Sequence, residues 1–115
     1  MIQIFGTKKC RITQKAIRFF KERNVEIQFR DLALKPPSPG ELDAMAAGAW
    51  DKLLDMDGAA AQERGLRYLD YEPRAELLAR PELYRTPLVR QGKGRRAAVG
   101  DDEKAWKEFC AGYST

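Results

Sequence analysis

The chain has 115 residues, of which 43% are hydrophobic and 33% are charged, and its formal net charge is +4. This length and balance predict one globular domain over residues 1–115, large enough to bury a core. The sequence contains no histidine, which excludes Ser-His-Asp and Cys-His catalysis and histidine-ligated metal sites.

The first 30 residues carry the pattern of a β-α-β unit. Residues 2–6 form a short apolar run typical of a buried strand, and residues 10–23 place apolar side chains at helical spacing up to a stop at Asn24. Residues 25–30 alternate apolar and polar side chains, as a half-buried strand does. Because the intervening helix returns the chain to its starting side, the two strands are predicted to be parallel.

Cys10 lies at the predicted turn between the first strand and the first helix, in the run IFGTKKCRIT. A thiol at this place meets the positive end of the helix dipole and free backbone N–H groups, which both favour the thiolate. Lys8, Lys9 and Arg11 flank it and are predicted to lower its pKa further. Because the thiolate is the reactive form, Cys10 is the candidate nucleophile. The alternative is an inert packing cysteine, which the charged neighbours disfavour.

Residues from about 38 to 80 are predicted to form a helical insert built of short pieces. Ser38 is the expected N-cap of the first piece, and Glu41 completes a capping box with it. The later pattern is interrupted at Gly48, Gly58, Gly65 and Pro73. Tyr68 and Tyr71 are predicted to pack against the protein, since no basic groove accompanies them as in a base-stacking platform.

The last third of the chain predicts a β-β-α arrangement. Apolar residues 88–89 and 97–99 flank a glycine-rich turn at 92–94, which is the pattern of a hairpin. Residues 101–113 are predicted to be helical. The apolar stripe of this helix contains Trp106, Phe109, Cys110 and Tyr113.

The basic residues Lys93, Arg95 and Arg96 cluster at the expected tip of this hairpin. We interpret them as solvated charges, because no continuous basic stripe interleaved with aromatic residues accompanies them. No direct binding of nucleic acid is therefore expected.

Two cysteines do not make a disulfide framework. Cys110 is interpreted as a small core hydrophobe, because it lies on the apolar stripe of the last helix. The alternative is a resolving thiol for Cys10, which the sequence separation neither supports nor forbids.

No stretch of the sequence is apolar enough to span a bilayer, and the N-terminus does not resemble a secretory signal. We therefore expect a cytoplasmic protein without membrane association. It is expected to be a monomer and to bind no cofactor or metal.

The order of these elements, β-α-β, helical insert and β-β-α, is an α/β arrangement of the thioredoxin-like type. The chain resembles the ArsC/Spx/YffB family over nearly its whole length, and its pattern is most similar to YffB-like members. The runs that carry the resemblance are IFGTKKCRITQKAIRFFKERNVEIQFRDL, WDKLLDMDG and YRTPLVRQGKGRRAAVGDDEKAWKEF. The resemblance implies that Pro87 is a cis-proline beside the thiol of Cys10 and that Gly100 just precedes the last helix.

The family's arsenate reductases use the matching cysteine as a nucleophile toward arsenate, with glutathione and glutaredoxin completing the reduction, and they hold the oxyanion with three arginines. The resemblance places these arginines where this chain has Asp57, Thr86 and residues 99–100, with Arg85 one step before Thr86. The third arginine is missing unless Arg95 or Arg96 reaches over to its place. An aspartate in place of an arginine reverses the local field and is expected to repel arsenate.

The Spx branch of the family binds the RNA polymerase alpha subunit under control of a Cys-x-x-Cys disulfide. In this chain Thr13 replaces the second cysteine, so that switch is absent. The Thr13 hydroxyl is expected near the helix start, where it either hydrogen-bonds a thiolate at Cys10 or serves ordinary helix capping or solvation.

Two functions therefore remain open, besides arsenate reduction itself, which would need a rearranged oxyanion site. The first is an oxidoreductase in which Cys10 attacks a disulfide or oxidised substrate and glutathione or another thiol resolves the product. Thr86 and Pro87 would present backbone groups to the substrate, and Arg85 and Arg30 are candidates for contacting an anionic group. The second is a non-catalytic regulator that binds a protein such as the RNA polymerase alpha subunit.

Overall fold

The computed structural model describes residues 1–111 and contains a four-stranded mixed sheet in the order β2-β1-β3-β4. β1 and β2 are parallel, whereas β3 runs antiparallel to β1 and β4 runs antiparallel to β3. This topology confirms the predicted β-α-β unit and the later hairpin. The strands are β1 Ile2–Gly6, β2 Ile27–Asp31, β3 Leu88–Arg90 and β4 Ala98–Val99.

Within residues 1–111, six α-helices accompany the sheet, and the middle four form the predicted insert. The helices are α1 Arg11–Glu22, α2 Pro39–Ala46, α3 Trp50–Leu53, α4 Ala59–Arg64, α5 Pro73–Ala79 and α6 Glu103–Ala111, with 3-10 turns at Leu66–Tyr68 and Pro81–Leu83. Across residues 1–111, no helix is both long enough and apolar enough to cross a membrane.

Some predicted boundaries are wrong by two residues, for local reasons. β2 begins at Ile27 rather than at residue 25, because the Val25 amide donates to the Phe20 carbonyl and closes the end of α1. Asn24 stops that helix as predicted, with a left-handed φ of 55°. α6 begins after Asp102, whose carboxylate accepts from the Ala105 amide as a cap.

The insert follows the predicted interruptions. The capping box of Ser38 and Glu41 is present, and Gly65 ends α4 with a left-handed φ of 65°. Tyr71 packs partly against the core, but the predicted packing of Tyr68 is wrong because that residue is 89% exposed. Tyr68 ends a 3-10 turn that lies on the surface of the insert.

Each face of the sheet buries its own apolar layer. On one face Ile2 and Ile4 of β1 pack under α1 and α6, where the Trp106 ring lies 5.4 Å from the Phe19 ring. On the other face Phe5 of β1 and its partner Leu88 of β3 pack under the helical insert. The predicted apolar stripe of α6 is therefore seen in its described part, and Tyr113 lies outside the described residues.

A chain of polar side chains crosses the sheet on the insert face. Gln28 accepts from Gln3 at 2.7 Å, and Gln3 accepts from the Arg90 Nε at 2.6 Å. Arg90 is 1% exposed and its Nη2 lies 3.5 Å from Glu41, which also forms two hydrogen bonds with Arg30 at 2.8 and 3.0 Å. Glu41 thus pairs with two guanidinium groups and ties β2 and β3 to the start of α2.

The carboxylate of Glu41 should make folding stability depend on pH. Hydrogen bonds from Arg30 lower the pKa of Glu41 to about 2, against the opposing effect of partial burial. Because the folded-state pKa lies below the ordinary value near 4.5, the contribution is full at neutral pH and is lost as the pH falls toward 2. We predict that the free energy of unfolding falls by about 2 kcal/mol between about pH 6 and about pH 3 from this group alone.

Urea denaturation of the native protein and of Glu41→Gln at several pH values checks this prediction. The variant should be less stable at neutral pH, because Arg30 and Arg90 lose their carboxylate. Its stability should also fall less steeply in acid. Equal acid slopes in the two proteins would show that Glu41 does not carry the effect.

Candidate active site

Cys10 occupies the N-cap position of α1, with an extended backbone conformation and a half-buried side chain. The strand β1 ends four residues earlier at Gly6, and the Cys10 amide donates to the Thr7 carbonyl within the connecting turn. The thiol therefore lies at the amino end of α1, where backbone N–H groups have no partner within the helix.

The thiol contacts the turn that precedes β3. Thr86 Oγ1 donates a hydrogen bond to Cys10 Sγ at 3.1 Å, and the Thr86 carbonyl oxygen lies 4.0 Å from the same sulfur. The peptide bond between Thr86 and Pro87 is cis, as the family resemblance implied. The backbone around this turn is held on both sides, by Arg85 N donating to Leu53 O at 2.7 Å and by Gly100 N donating to Pro87 O at 2.9 Å.

Several neutral donors shift the ionisation of Cys10. Burial raises the pKa of the thiol, but the hydroxyls of Thr13 and Thr86 and the backbone amides of Thr13 and Ile12 together lower the pKa below its ordinary value. Each of these groups is a donor that stabilises the thiolate more than the thiol. The arrangement favours the nucleophilic form of the side chain.

Thr13 is held against the end of β1 by close packing. Its side chain is fully buried over Gly6, where any Cβ would collide with it. Its hydroxyl lowers the pKa of Cys10, yet Oγ1 has no hydrogen-bond partner within ordinary limits among the described residues. We therefore interpret Thr13 as a donor that is available to a thiolate rather than already engaged by the thiol.

Solved structures of several proteins resemble this chain along almost its full length. A YFFB protein matches with a TM-score of 0.82, 21% identity and coverage of 96% of this chain and 99% of the other. An ArsC-family-related protein from Bacteroides fragilis matches with a TM-score of 0.80, 24% identity and coverage of 94% and 96%. The arsenate reductase from Vibrio cholerae matches with a TM-score of 0.77, 16% identity and coverage of 94% and 96%.

The chain has the ArsC-type fold. This confirms the thioredoxin-like α/β arrangement, and at the level of the fold it confirms the family resemblance predicted from the sequence. No protein-family model and no curated protein matches the chain.

The basic residues beside Cys10 lie at the surface of this ArsC-type fold. Lys8, Lys9 and Arg11 are exposed, and the groups that lower the pKa of Cys10 are threonine hydroxyls and backbone amides. Their predicted effect on the thiol therefore stays a prediction.

The two arginines predicted to contact an anionic group differ in exposure, since Arg30 is largely buried and Arg85 is exposed. The Arg30 side chain is only 10% exposed and is engaged by Glu41, so its expected role of contacting an anionic substrate is not available to it. Arg85 is exposed and adjoins the turn at Thr86. Asp57 stands where the family resemblance implies an arginine, and its exposed carboxylate lies 3.3 Å from Arg67.

Cys110 lies near the opposite end of α1 from Cys10. One turn before it, Trp106 packs on Phe19. The charge of Arg23, at the end of α1, acts to lower the pKa of Cys110. Because the 12 residues of α1 span about 18 Å, a disulfide between the two cysteines would require a large movement. Burial raises the pKa of Cys110, which fits the predicted packing role rather than that of a resolving thiol.

The described residues contain no group of three or more Cys, Asp or Glu side chains arranged to hold a metal ion. The feature that sequence reasoning missed is the direct hydrogen bond from Thr86 to Cys10. Only the family resemblance pointed to this pair, because 76 positions separate the two residues.

The contact between Gly6 and Thr13 gives a stability prediction. Gly6→Ala should lower the free energy of unfolding by about 1–3 kcal/mol, because the added methyl group overpacks a filled space. In a Thr13→Ala background the same change should cost at least about 1 kcal/mol less. Urea denaturation of the four proteins measures this coupling, and an equal cost in both backgrounds would contradict the packing argument.

Proposed function

We propose that this protein is a thiol-dependent oxidoreductase in which Cys10 is the nucleophile. The observation that carries the proposal is the set of neutral donors around Cys10 Sγ, which lowers the pKa of a half-buried thiol at the start of α1. A lowered pKa raises the fraction of thiolate near neutral pH, and the thiolate is the attacking species in thiol–disulfide exchange.

The proposed reaction proceeds in two exchanges. The Cys10 thiolate attacks one sulfur of a substrate disulfide, forms a mixed disulfide with that half and releases the other half as a thiolate. A glutathione thiolate then attacks the substrate sulfur of the mixed disulfide, which returns the Cys10 thiolate and leaves the substrate half joined to glutathione. Glutathione acts as a co-substrate, and a glutaredoxin is an alternative reductant. No bound cofactor is required.

The turn at Thr86 and Pro87 would position the substrate. The Thr86 hydroxyl stabilises Cys10 both as attacking and as leaving thiolate. The backbone of this turn would orient the chain that carries the disulfide, and the neighbouring exposed Arg85 would contact a carboxylate of glutathione.

Arsenate is not the substrate we propose. An oxyanion bound at Cys10 would need several cationic partners. Arg30 and Arg90 are both engaged by Glu41 on the insert face, which leaves Arg85 as the arginine that adjoins the turn at Thr86. The position implied for a further arginine holds Asp57, whose charge has the wrong sign.

A second candidate function is a non-catalytic regulator that binds a protein, with the RNA polymerase alpha subunit as the partner implied by the Spx branch. The observation that favours it is the exposure of Tyr68 and Leu69 on the insert, at 89% and 43%, since exposed apolar side chains are common at protein interfaces. Binding of purified alpha subunit that is lost in Tyr68→Ala, together with no thiol turnover, would support this function instead.

Matched cysteine variants test the oxidoreductase proposal. Cys10→Ser should abolish glutathione-dependent reduction of a small thiol joined to glutathione in a mixed disulfide, because serine cannot take up the glutathione half that a second glutathione then releases as oxidised glutathione. Cys110→Ala should retain this activity and lose only about 1 kcal/mol of stability, as expected for a small side chain that is partly buried against the core. Turnover is followed by the oxidation of glutathione, and folding by circular dichroism. Full activity of Cys10→Ser would refute the proposal.

A further inference from the structure

The outer edge of the sheet borders a cleft of about 710 Å³. β4 is the edge strand, and residues 97–99 line the cleft together with residues of the insert and of α6. Cys10, Thr13 and Thr86 do not line it, whereas Arg85 does. The cleft therefore adjoins the thiol site but is a separate feature of the surface.

The backbone of Val99 presents open hydrogen-bonding groups to this cleft. Gly100 N donates to Pro87 O, and Ala98 pairs with Val89 in the antiparallel ladder. Because the direction of the groups alternates along a strand, those of Ala98 face β3 and those of Val99 face outward. Among residues 1–111, neither the N–H nor the C=O of Val99 has a hydrogen-bond partner.

An open edge of this kind accepts another extended chain. Unpaired N–H and C=O groups on an edge strand serve as a template for strand addition. Two residues earlier on the same edge, Ala97 N already donates to Met45 O at 3.2 Å, which limits the free edge to the part next to Gly100. The template is thus short and lies at the end of β4 that is nearer to Arg85.

The walls of the cleft are apolar. Met45 and Leu53 of the insert, both 1% exposed, form one side, and Ala105 and Phe109 of α6 form the other. The volume lies in the range of about 300–1,000 Å³ that is typical of ligand sites. Successive side chains of an added strand would point to these two walls in alternation.

Positive charges lie at both ends of the edge strand. Arg96 directly precedes the strand residues, and the Arg85 side chain would be 3.7 Å from a Cβ placed on Gly100, just after β4. Neither arginine forms an ion pair with a carboxylate in the described part of the chain. Of the two acids in the lining, Asp102 accepts from the Ala105 amide as the cap of α6, and Asp51 forms no ion pair with another residue of the range 1–111. An occupant with acidic ends would complement this arrangement.

We propose that this cleft binds an extended peptide as a fifth strand, paired with Val99 and carrying an apolar centre flanked by acidic side chains. The apolar centre occupies the space between the insert and α6, and the acidic residues meet Arg85 and Arg96. This binding needs no thiol chemistry, so the test of peptide binding is independent of the test of Cys10 activity.

The test uses the acetylated and amidated peptide Glu-Val-Ala-Val-Glu, with Lys-Val-Ala-Val-Lys as the matched control. Titration into the full-length protein is followed by amide NMR and calorimetry. The acidic peptide should shift the Val99 amide signal and slow its hydrogen exchange, and the basic peptide should bind more weakly. Binding that leaves the Val99 amide unchanged, equal binding of the two peptides, or no binding would each overturn the proposal.

Two variants of the protein sharpen the test. Val99→Pro removes the outward N–H without touching the bonds to β3, and it should weaken binding by up to about tenfold. Arg96→Gln should weaken binding by about threefold, as expected for one exposed charge. Arg95→Gln removes the same charge at a neighbouring residue that does not line the cleft, and this variant should bind the peptide like the native protein. If Val99→Pro does not fold, the comparison of Arg96→Gln with Arg95→Gln decides, and equal affinities of these two would refute the proposal.

Discussion

The hydrogen bond from Thr86 Oγ1 to Cys10 Sγ joins two parts of the chain that are 76 positions apart. It can form only when the turn before β3 and the start of α1 meet at the same end of the sheet. The same contact supplies one of the donors that lower the pKa of the thiol. The fold and the ionisation of Cys10 therefore depend on one another, and the site is incomplete until the sheet has formed.

Two further sets of contacts fix the positions of the elements around this hydrogen bond. Thr13 packs on Gly6 and fixes the start of α1 against the end of β1. On the opposite face of the sheet, Glu41 pairs with both Arg30 and Arg90 and joins the insert to the strands. An ion-pair network of this kind stabilises little by itself but is costly to break, so it favours one arrangement of insert and sheet. The insert in turn forms one wall of the cleft beside β4.

The sequence was most informative where structure is decided locally. The β-α-β unit and the capping box at Glu41 follow from periodicity and from short-range hydrogen bonds, and both are present. Long-range partners could not be read in this way. The pairing of Arg30 with Glu41 depends on how α2 lies on the sheet, and the contact between Thr86 and Cys10 depends on the whole topology. The exposure of Tyr68 shows the same limit, because an aromatic residue in a helical pattern does not reveal which turn reaches the core.

The pKa of Cys10, read from its alkylation rate against pH in a Cys110→Ala background, shows whether neutral donors or the flanking charges activate the thiol. Because neutral hydrogen-bond donors lower the pKa of Cys10, Thr86→Val should raise it. Joint replacement of Lys8, Lys9 and Arg11 by glutamine should change it much less, because these charges are exposed and screened. An unchanged pKa in Thr86→Val together with a raised pKa in the triple variant would show that the flanking charges, and not the neutral donors, lower the pKa of Cys10.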